Sequence, residues 1–126
     1  MKRVTGIGGI FFKARDPAKL QNWYAKHLGI VPRPDGSVAF AWGSEGAKVG
    51  HTIWAPFPTD TEYFAPSSTP FMINYRVENL DALLKQLQLE GVEIDPKRDN
   101  GEFGKFAWIM DPEGNRIELW EPAPGW

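Results

Sequence analysis

Few residue types in this chain can carry out covalent chemistry. Its 126 residues include no cysteine, which excludes thiolate nucleophiles, disulfides and cysteine metal sites. The sequence has neither a nucleophile elbow with serine, histidine and aspartate nor a glycine-rich phosphate loop. The glycines of Gly6-Ile7-Gly8-Gly9 precede a predicted strand instead of joining a strand to a helix, so we expect them to permit close backbone approach. The groups left for a site are carboxylates, two histidines and many aromatic rings: six Trp, three Tyr and eight Phe.

Length and charge restrict the class of protein. A chain of 126 residues has the size of one domain. Its 14 Lys and Arg against 16 Asp and Glu give a net charge of −2, which does not favour nucleic-acid binding. No apolar run approaches the length of a membrane span, and the first residues do not lead into a signal-peptide core. We therefore predict a single-domain cytoplasmic protein that binds neither nucleic acid nor membranes.

The elements that must position a site occur twice along the chain. Residues 7–14 and 71–77 are apolar, β-branched and aromatic, and each run is typical of a strand that leads into a helix. Asp16 and Asn79 are the predicted N-caps of two helices, which end at Gly29 and Gly91. The spacing from cap to glycine is nearly the same in both halves, so the sequence predicts two similar units.

Short strand-like runs follow each predicted helix. In the first unit they cover residues 37–42 and 47–55, with turns at residues 34–36 and 43–46. In the second unit they cover residues 105–110 and 116–121, joined by a turn at residues 111–115. The sequence thus predicts an α+β domain of two βαβββ modules, at about residues 4–56 and 71–122, with a proline-rich connector at about residues 57–70.

Three local strings indicate the kind of fold that this repeat resembles. They are Ile10-Phe11-Phe12-Lys13-Ala14-Arg15-Asp16-Pro17, Trp23-Tyr24 followed by Leu28-Gly29, and Asp111-Pro112-Glu113-Gly114-Asn115-Arg116-Ile117-Glu118-Leu119. With these strings, nearly the whole chain resembles the vicinal oxygen chelate superfamily, which includes glyoxalase I, extradiol dioxygenases and bleomycin-resistance proteins. The resemblance implies that the two modules form a half-open, barrel-like sheet with the helices outside. A fold shared by such different activities does not define a reaction.

The resemblance also implies four metal-ligand positions, on the first and last strands of each module. In this sequence they fall on Gly9, Thr52, Met72 and Glu118. Because one carboxylate does not hold a divalent metal, we expect the family metal site to be lost and no cofactor to be bound. The remaining ligand candidates are Glu118 and His51, and strand alternation turns His51 away from the face that carries Thr52.

The same positions mark the face of the sheet that lines the implied cavity. Alternation along the strands places rings and polar heads on this face: Phe11, Lys13, Thr52, Trp54, Met72, Asn74, Arg76, Phe106, Trp108, Arg116, Glu118 and Trp120. An aliphatic and Phe set falls on the face towards the helices: Ile10, Phe12, Ile53, Ile73, Val77, Ile109, Ile117 and Leu119. Rings with a few polar heads suit a planar organic ligand. The alternative is a collapsed interior in which Arg76 and Glu118 form an ion pair.

Three functions remain open at this point. The leading hypothesis is a metal-free small-molecule binding protein with an aromatic cleft, similar to the bleomycin-resistance branch and working as a homodimer. The second is a glyoxalase-like lyase or isomerase. It would use Glu118 as general base with Arg76 or Lys13 stabilising the enediolate, or a metal site rebuilt around His51 and Glu118. The third is a non-catalytic regulatory or interaction module whose cavity is filled.

Overall fold

Seven strands and two helices make up the part of the chain that the computed structural model describes, residues 1, 3–43 and 50–126. In chain order the elements are β1 (Val4–Ala14), α1 (Pro17–Leu28), β2 (Val38–Ala41), β3 (His51–Pro58), β4 (Phe71–Val77), α2 (Leu80–Leu89), β5 (Ile94–Gly101), β6 (Gly104–Met110) and β7 (Arg116–Pro122). The α+β prediction is confirmed. The predicted turn at residues 43–46 and the start of the predicted strand at residues 47–55 lie largely outside the described residues.

The strands form one curled, open sheet in which the two modules meet at the centre. The strand order is β2-β3-β1-β4-β7-β6-β5, with β1 and β4 paired antiparallel. Within each module the first strand pairs in parallel with the last, β1 with β3 and β4 with β7. The second module has the predicted βαβββ order, and the described part of the first contains β1, α1, β2 and β3. The pairing shows the duplication that the sequence predicts.

Both helices begin at the predicted N-caps and α1 ends at the predicted glycine, whereas α2 ends at Leu89 with Glu90 as its C-cap, one residue before the predicted Gly91. Asp16 accepts a hydrogen bond from the backbone N–H of Lys19 at 3.0 Å, and Asn79 accepts one from Ala82 at 3.0 Å. Gly29 follows α1 with φ 68°, a left-handed conformation that favours glycine because it has no Cβ. None of the helices in the described ranges is long and apolar enough to cross a membrane.

The two faces of the sheet bury different side chains. One face packs against α2 in an aliphatic cluster: Val77, Leu80, Leu83, Leu84, Ala107 and Leu119. The other buries Phe11, Phe64, Met72 and Trp108. Two residues predicted on the helix side behave differently. Ile10 is 40% exposed, although α1 packs on β1 as well as on β3. Ile53 packs against the cluster that contains Phe11.

Candidate functional site

A cavity of about 440 Å³, here called the aromatic cavity, opens on the face of the sheet that carries Phe11 and Trp120. Its lining is mostly apolar and aromatic: Phe11, Arg33, Asp35, Gly36, Ser37, Ile53, Ala55, Pro56, Phe57, Pro58, Tyr63, Asn74, Phe103, Phe106, Glu118, Trp120 and Trp126. This volume and composition are typical of a site for a small organic molecule.

A wider groove of about 950 Å³ lies between α2 and β5. Its lining includes the exposed polar side chains of Asp81, Lys85, Gln88 and Arg98. The aromatic cavity is the better candidate for a site, because it encloses a buried titratable group whereas these charged side chains are solvated.

Strand register places Glu118 in the wall of the aromatic cavity. Glu118 on β7 pairs with Asn74 on β4 and with Trp108 on β6, so the three side chains share one face of the sheet. The fourth member of the group is Tyr63, which comes from the connector between the modules. The predicted extended connector therefore contributes directly to the site.

Glu118 accepts three hydrogen bonds and is 1% exposed. Its Oε2 accepts from the Tyr63 phenol and from Nε1 of Trp108 at 2.9 Å. Its Oε1 accepts from Nδ2 of Asn74 at 2.6 Å. Burial raises the pKa of Glu118 above its ordinary value, while the three donors and the charge of Arg116 oppose that shift. Burial, and then the negative charge of Glu118, raise the pKa of Tyr63, so its phenol stays protonated.

The residues around Glu118 do not fit the metal that the fold family implies. Both carboxylate oxygens already accept hydrogen bonds, and Gly9 has no side chain to offer. Met72 is packed between rings, and Thr52 donates to the main-chain oxygen of Ile7 at 2.8 Å. Among the described residues, no group of three His, Asp or Glu side chains could hold a metal ion.

His51 does not complete such a site either. It lies on β3, three strands from Glu118 in the sheet order. Its ring centroid is 5.0 Å from that of Trp126, and its Nδ1 is 3.2 Å from the Trp126 main-chain oxygen. We therefore derive no chemistry through a metal ion.

The prediction placed the wrong face of β3 towards the cavity. Gly9 on β1 pairs with Ile53, and Phe11 pairs with Ala55, so Ile53 and Ala55 line the cavity and Thr52 and Trp54 do not. The prediction matched Trp54-Ala55-Pro56 to Trp120-Glu121-Pro122, which made Thr52 the counterpart of Glu118. Phe11 and Asn74 each lie five residues before a helix N-cap and pair with Ala55 and Glu118, so the register makes Ala55 the counterpart. A slip by an odd number of residues turns every side chain to the other face. Trp54 instead packs on Tyr24 of α1, with ring centroids 5.0 Å apart.

The other predicted cavity residues divide into three groups. Phe11, Asn74, Phe106, Glu118 and Trp120 line the cavity, and whether they bind a ligand stays a prediction. Met72 and Trp108 are buried in the adjoining cluster. Lys13, Arg76 and Arg116 are outside the lining.

These three cations have other contacts. Lys13 lies 5.8 Å from the Phe64 ring centroid, and Arg116 forms an ion pair with Asp95 at 2.7 Å. Arg76 lies between the rings of Trp42 and Trp120, at 4.9 and 5.0 Å from their centroids. The ion pair between Arg76 and Glu118 that the collapsed-interior alternative requires does not form, because Arg76 donates to the main-chain oxygens of His51 and Trp126.

The mouth of the cavity was not predicted. The Arg33 guanidinium lies 5.1 Å from the Trp126 ring centroid and 5.9 Å from that of Phe103. Asp35 lies 3.6 Å from Arg33 and accepts hydrogen bonds from the Ser37 backbone and hydroxyl. These residues come from three distant parts of the chain, and the only local signal was the turn at residues 34–36.

The family of the chain follows from its sequence as well as from its fold. The sequence model of the Glyoxalase/Bleomycin resistance protein/Dioxygenase superfamily matches residues 6–119, so the chain belongs to this superfamily. No curated protein matches the chain significantly.

Several solved structures share the fold. Methylmalonyl-CoA epimerase from Mycobacterium tuberculosis is 22% identical with a TM-score of 0.62, covering 98% of this chain and 92% of that chain. A Streptomyces coelicolor methylmalonyl-CoA epimerase variant in complex with 2-nitronate-propionyl-CoA is 16% identical with a TM-score of 0.71, covering 96% of each chain. A superfamily member from Vibrio splendidus 12B01 is 12% identical with a TM-score of 0.53, covering 89% of this chain and 95% of that chain. These likenesses confirm the vicinal oxygen chelate fold, and they extend to the fold alone.

Proposed function

We propose that this protein binds a small organic molecule with flat, apolar surface in the aromatic cavity, without a metal ion. The observation that supports this most directly is the enclosure of about 440 Å³ by aromatic side chains. Burial of flat apolar surface supplies affinity, and a few polar groups fix the orientation of the ligand. The earlier expectations of a homodimer and of a cytoplasmic location remain part of this proposal.

Two stacked ring pairs give the cavity flat walls. Phe106 and Trp120 lie 5.8 Å apart with an interplanar angle of 5°. Phe57 and Tyr63 lie 5.4 Å apart with an angle of 16°. Rings that already stack on a neighbour lose little further freedom when a ligand packs on them, which favours a flat ligand.

Fluorescence titration with a flat neutral probe, 2-naphthalenemethanol, tests this function. We expect saturable quenching of tryptophan emission, because Trp120 and Trp126 line the cavity. Phe106→Ala should weaken binding about 10-fold, since it removes one wall. Phe40→Ala is the matched control, because Phe40 is an exposed ring on β2 outside the lining. Quenching that does not saturate, or that Phe40→Ala and Phe106→Ala affect equally, contradicts the proposal.

A second candidate is proton transfer by Glu118 in a glyoxalase-like lyase or isomerase. The raised pKa of this carboxyl favours it, because a general base works best when its pKa is near the working pH. However, the carboxylate of Glu118 already accepts hydrogen bonds from Tyr63, Trp108 and Asn74. A substrate proton would have to displace one of these donors or bind at the second lone pair of Oε1. Turnover of a glyoxalase-type substrate that disappears in Glu118→Gln would favour this candidate over simple binding.

A further inference from the structure

Glu118 is a buried carboxyl group whose three hydrogen-bond partners are all neutral. The phenol of Tyr63, the indole of Trp108 and the amide of Asn74 donate to it. Buried ionised groups in proteins are normally paired with an opposite charge. Among the described residues, Glu118 has no such salt bridge.

The cations near this group form no salt bridge with it. Arg116 bonds to Asp95, and its guanidinium lies 5.3 Å from the Trp108 ring centroid, so its charge acts on Glu118 only from a distance. The Lys97 ammonium lies 4.9 Å from the same ring. Arg76 stacks on Trp120 and donates to main-chain oxygens. Each of these cations contacts a ring of the site, and none is part of the cavity lining.

The charges at the mouth of the cavity balance each other. Arg33 and Asp35 lie 3.6 Å apart, and Ser37 holds the pKa of Asp35 below its ordinary value, so this carboxylate is ionised. Glu118 is therefore the ionisable carboxyl in the described lining without a charged partner.

Glu118 is part of the cavity lining and keeps a free acceptor position. Its Oε2 accepts two hydrogen bonds, whereas its Oε1 accepts one from the described residues, and each carboxylate oxygen has two lone pairs. Aromatic ring faces carry partial negative charge and attract organic cations. An ammonium group in this cavity would meet both the carboxylate and the rings.

We propose that the aromatic cavity selects organic cations: the ligand places a protonated nitrogen against Oε1 of Glu118 while its flat body packs between the rings. This inference rests on the proposed function and names the ligand class. A neutral ligand of the same shape leaves the buried carboxylate without a cation in contact, so it binds more weakly. An anionic ligand of the same shape is repelled.

Calorimetric titration with three naphthalene probes of matched shape tests this selectivity. The probes are 2-naphthylmethylamine, protonated at neutral pH, the neutral 2-naphthalenemethanol and the anion of 2-naphthoic acid. We expect the amine to bind at least about 10-fold more tightly than the alcohol, and the acid to bind most weakly. Glu118→Gln should abolish the preference for the amine. Glu113→Gln, which removes one negative charge from an exposed turn, should preserve it.

A second measurement keeps the test decisive if Glu118→Gln does not fold. The preference of the wild type for the amine should decrease as the pH is lowered and Glu118 takes up a proton, because a neutral carboxyl attracts an ammonium group less strongly than a carboxylate. A preference that does not change with pH contradicts the role of Glu118. Equal affinity of the wild type for amine and alcohol overturns the cation proposal and leaves the proposed function intact. Absence of binding by all three probes contradicts both.

Discussion

The Tyr63 phenol donates a hydrogen bond to the Glu118 carboxylate, joining the connector to the last strand of the second module. In a metal-binding member of this fold, a carboxylate at this position would face the ion. Here a phenol, an indole and an amide occupy its oxygens. The connector thereby becomes a wall of the aromatic cavity, and several expectations follow from the geometry of this group.

Tyr63→Phe should reduce the free energy of unfolding by about 1–3 kcal/mol, because it removes a donor from a buried carboxyl group. Denaturant unfolding of both proteins measures the loss. Tyr24→Phe is the control, because Tyr24 contacts Trp54 through its ring in a T-shaped arrangement and this contact does not need the hydroxyl group. An equal effect of both substitutions would show that the Tyr63 phenol contributes nothing specific.

The stability of the protein should depend on pH through Glu118. Burial raises its pKa above 4.5 in the folded state, so the folded protein holds this proton more tightly than the unfolded chain does. The stabilisation is therefore complete below the unfolded pKa and decreases as pH rises through the folded pKa. Between about pH 4 and 8, the free energy of unfolding of the wild type should decrease relative to that of Glu118→Gln as the pH rises. If the unfolding free energies of the two proteins change with pH in parallel, Glu118 is not the source of the pH dependence.

Gly8→Ala should destabilise the protein by about 1–3 kcal/mol, because the added methyl group overpacks the site. Its Cβ would lie 2.0 Å from Oδ1 of Asn74 and 2.9 Å from Cε3 of Trp120. Gly101→Ala is the matched control, since a Cβ there has no described heavy atom within 4 Å. Thermal unfolding of the two variants compares them, and similar melting temperatures would contradict the predicted clash.

Metal loading should leave the protein without a stoichiometric ion. We expect the protein to retain no equivalent of metal after it is stripped and reloaded with Ni, Zn, Mn or Fe. Both carboxylate oxygens of Glu118 already accept hydrogen bonds, so they are not free to bind an ion. Elemental analysis of wild type beside Glu118→Gln measures this. One equivalent retained by the wild type and lost in the variant would overturn the metal-free interpretation.

The sequence predicted the duplicated architecture because its signals are local. A helix cap depends only on residues a few positions away in the chain. The structure places Asp16 and Asn79 at the starts of the helices and Gly29 at the end of α1. The face of β3 could not be settled in this way, since matching two Trp-x-Pro strings gave a repeat offset of 66 residues instead of the 63 that the helix caps and the strand pairing share. Pairing between distant strands decides such a register, and a short string does not encode it.

The site was predicted unevenly for the same physical reason. Glu118 and Asn74 follow from alternation along strands whose positions were known. Arg33, Phe103 and Trp126 meet at the mouth through loop geometry, which periodicity does not describe. The contact of Tyr63 with Glu118 required knowledge of where the connector folds back onto the sheet.

The duplication of the fold has a consequence for directionality. Phe11 and Ala55 occupy in the first module the positions that Asn74 and Glu118 occupy in the second. The strand pairing is thus repeated in the two modules while the side chains differ: one half presents an amide and an acid, and the other presents an aromatic ring and a methyl group. A molecule held between these halves meets a polar pole and an apolar pole, so it has a defined head and tail.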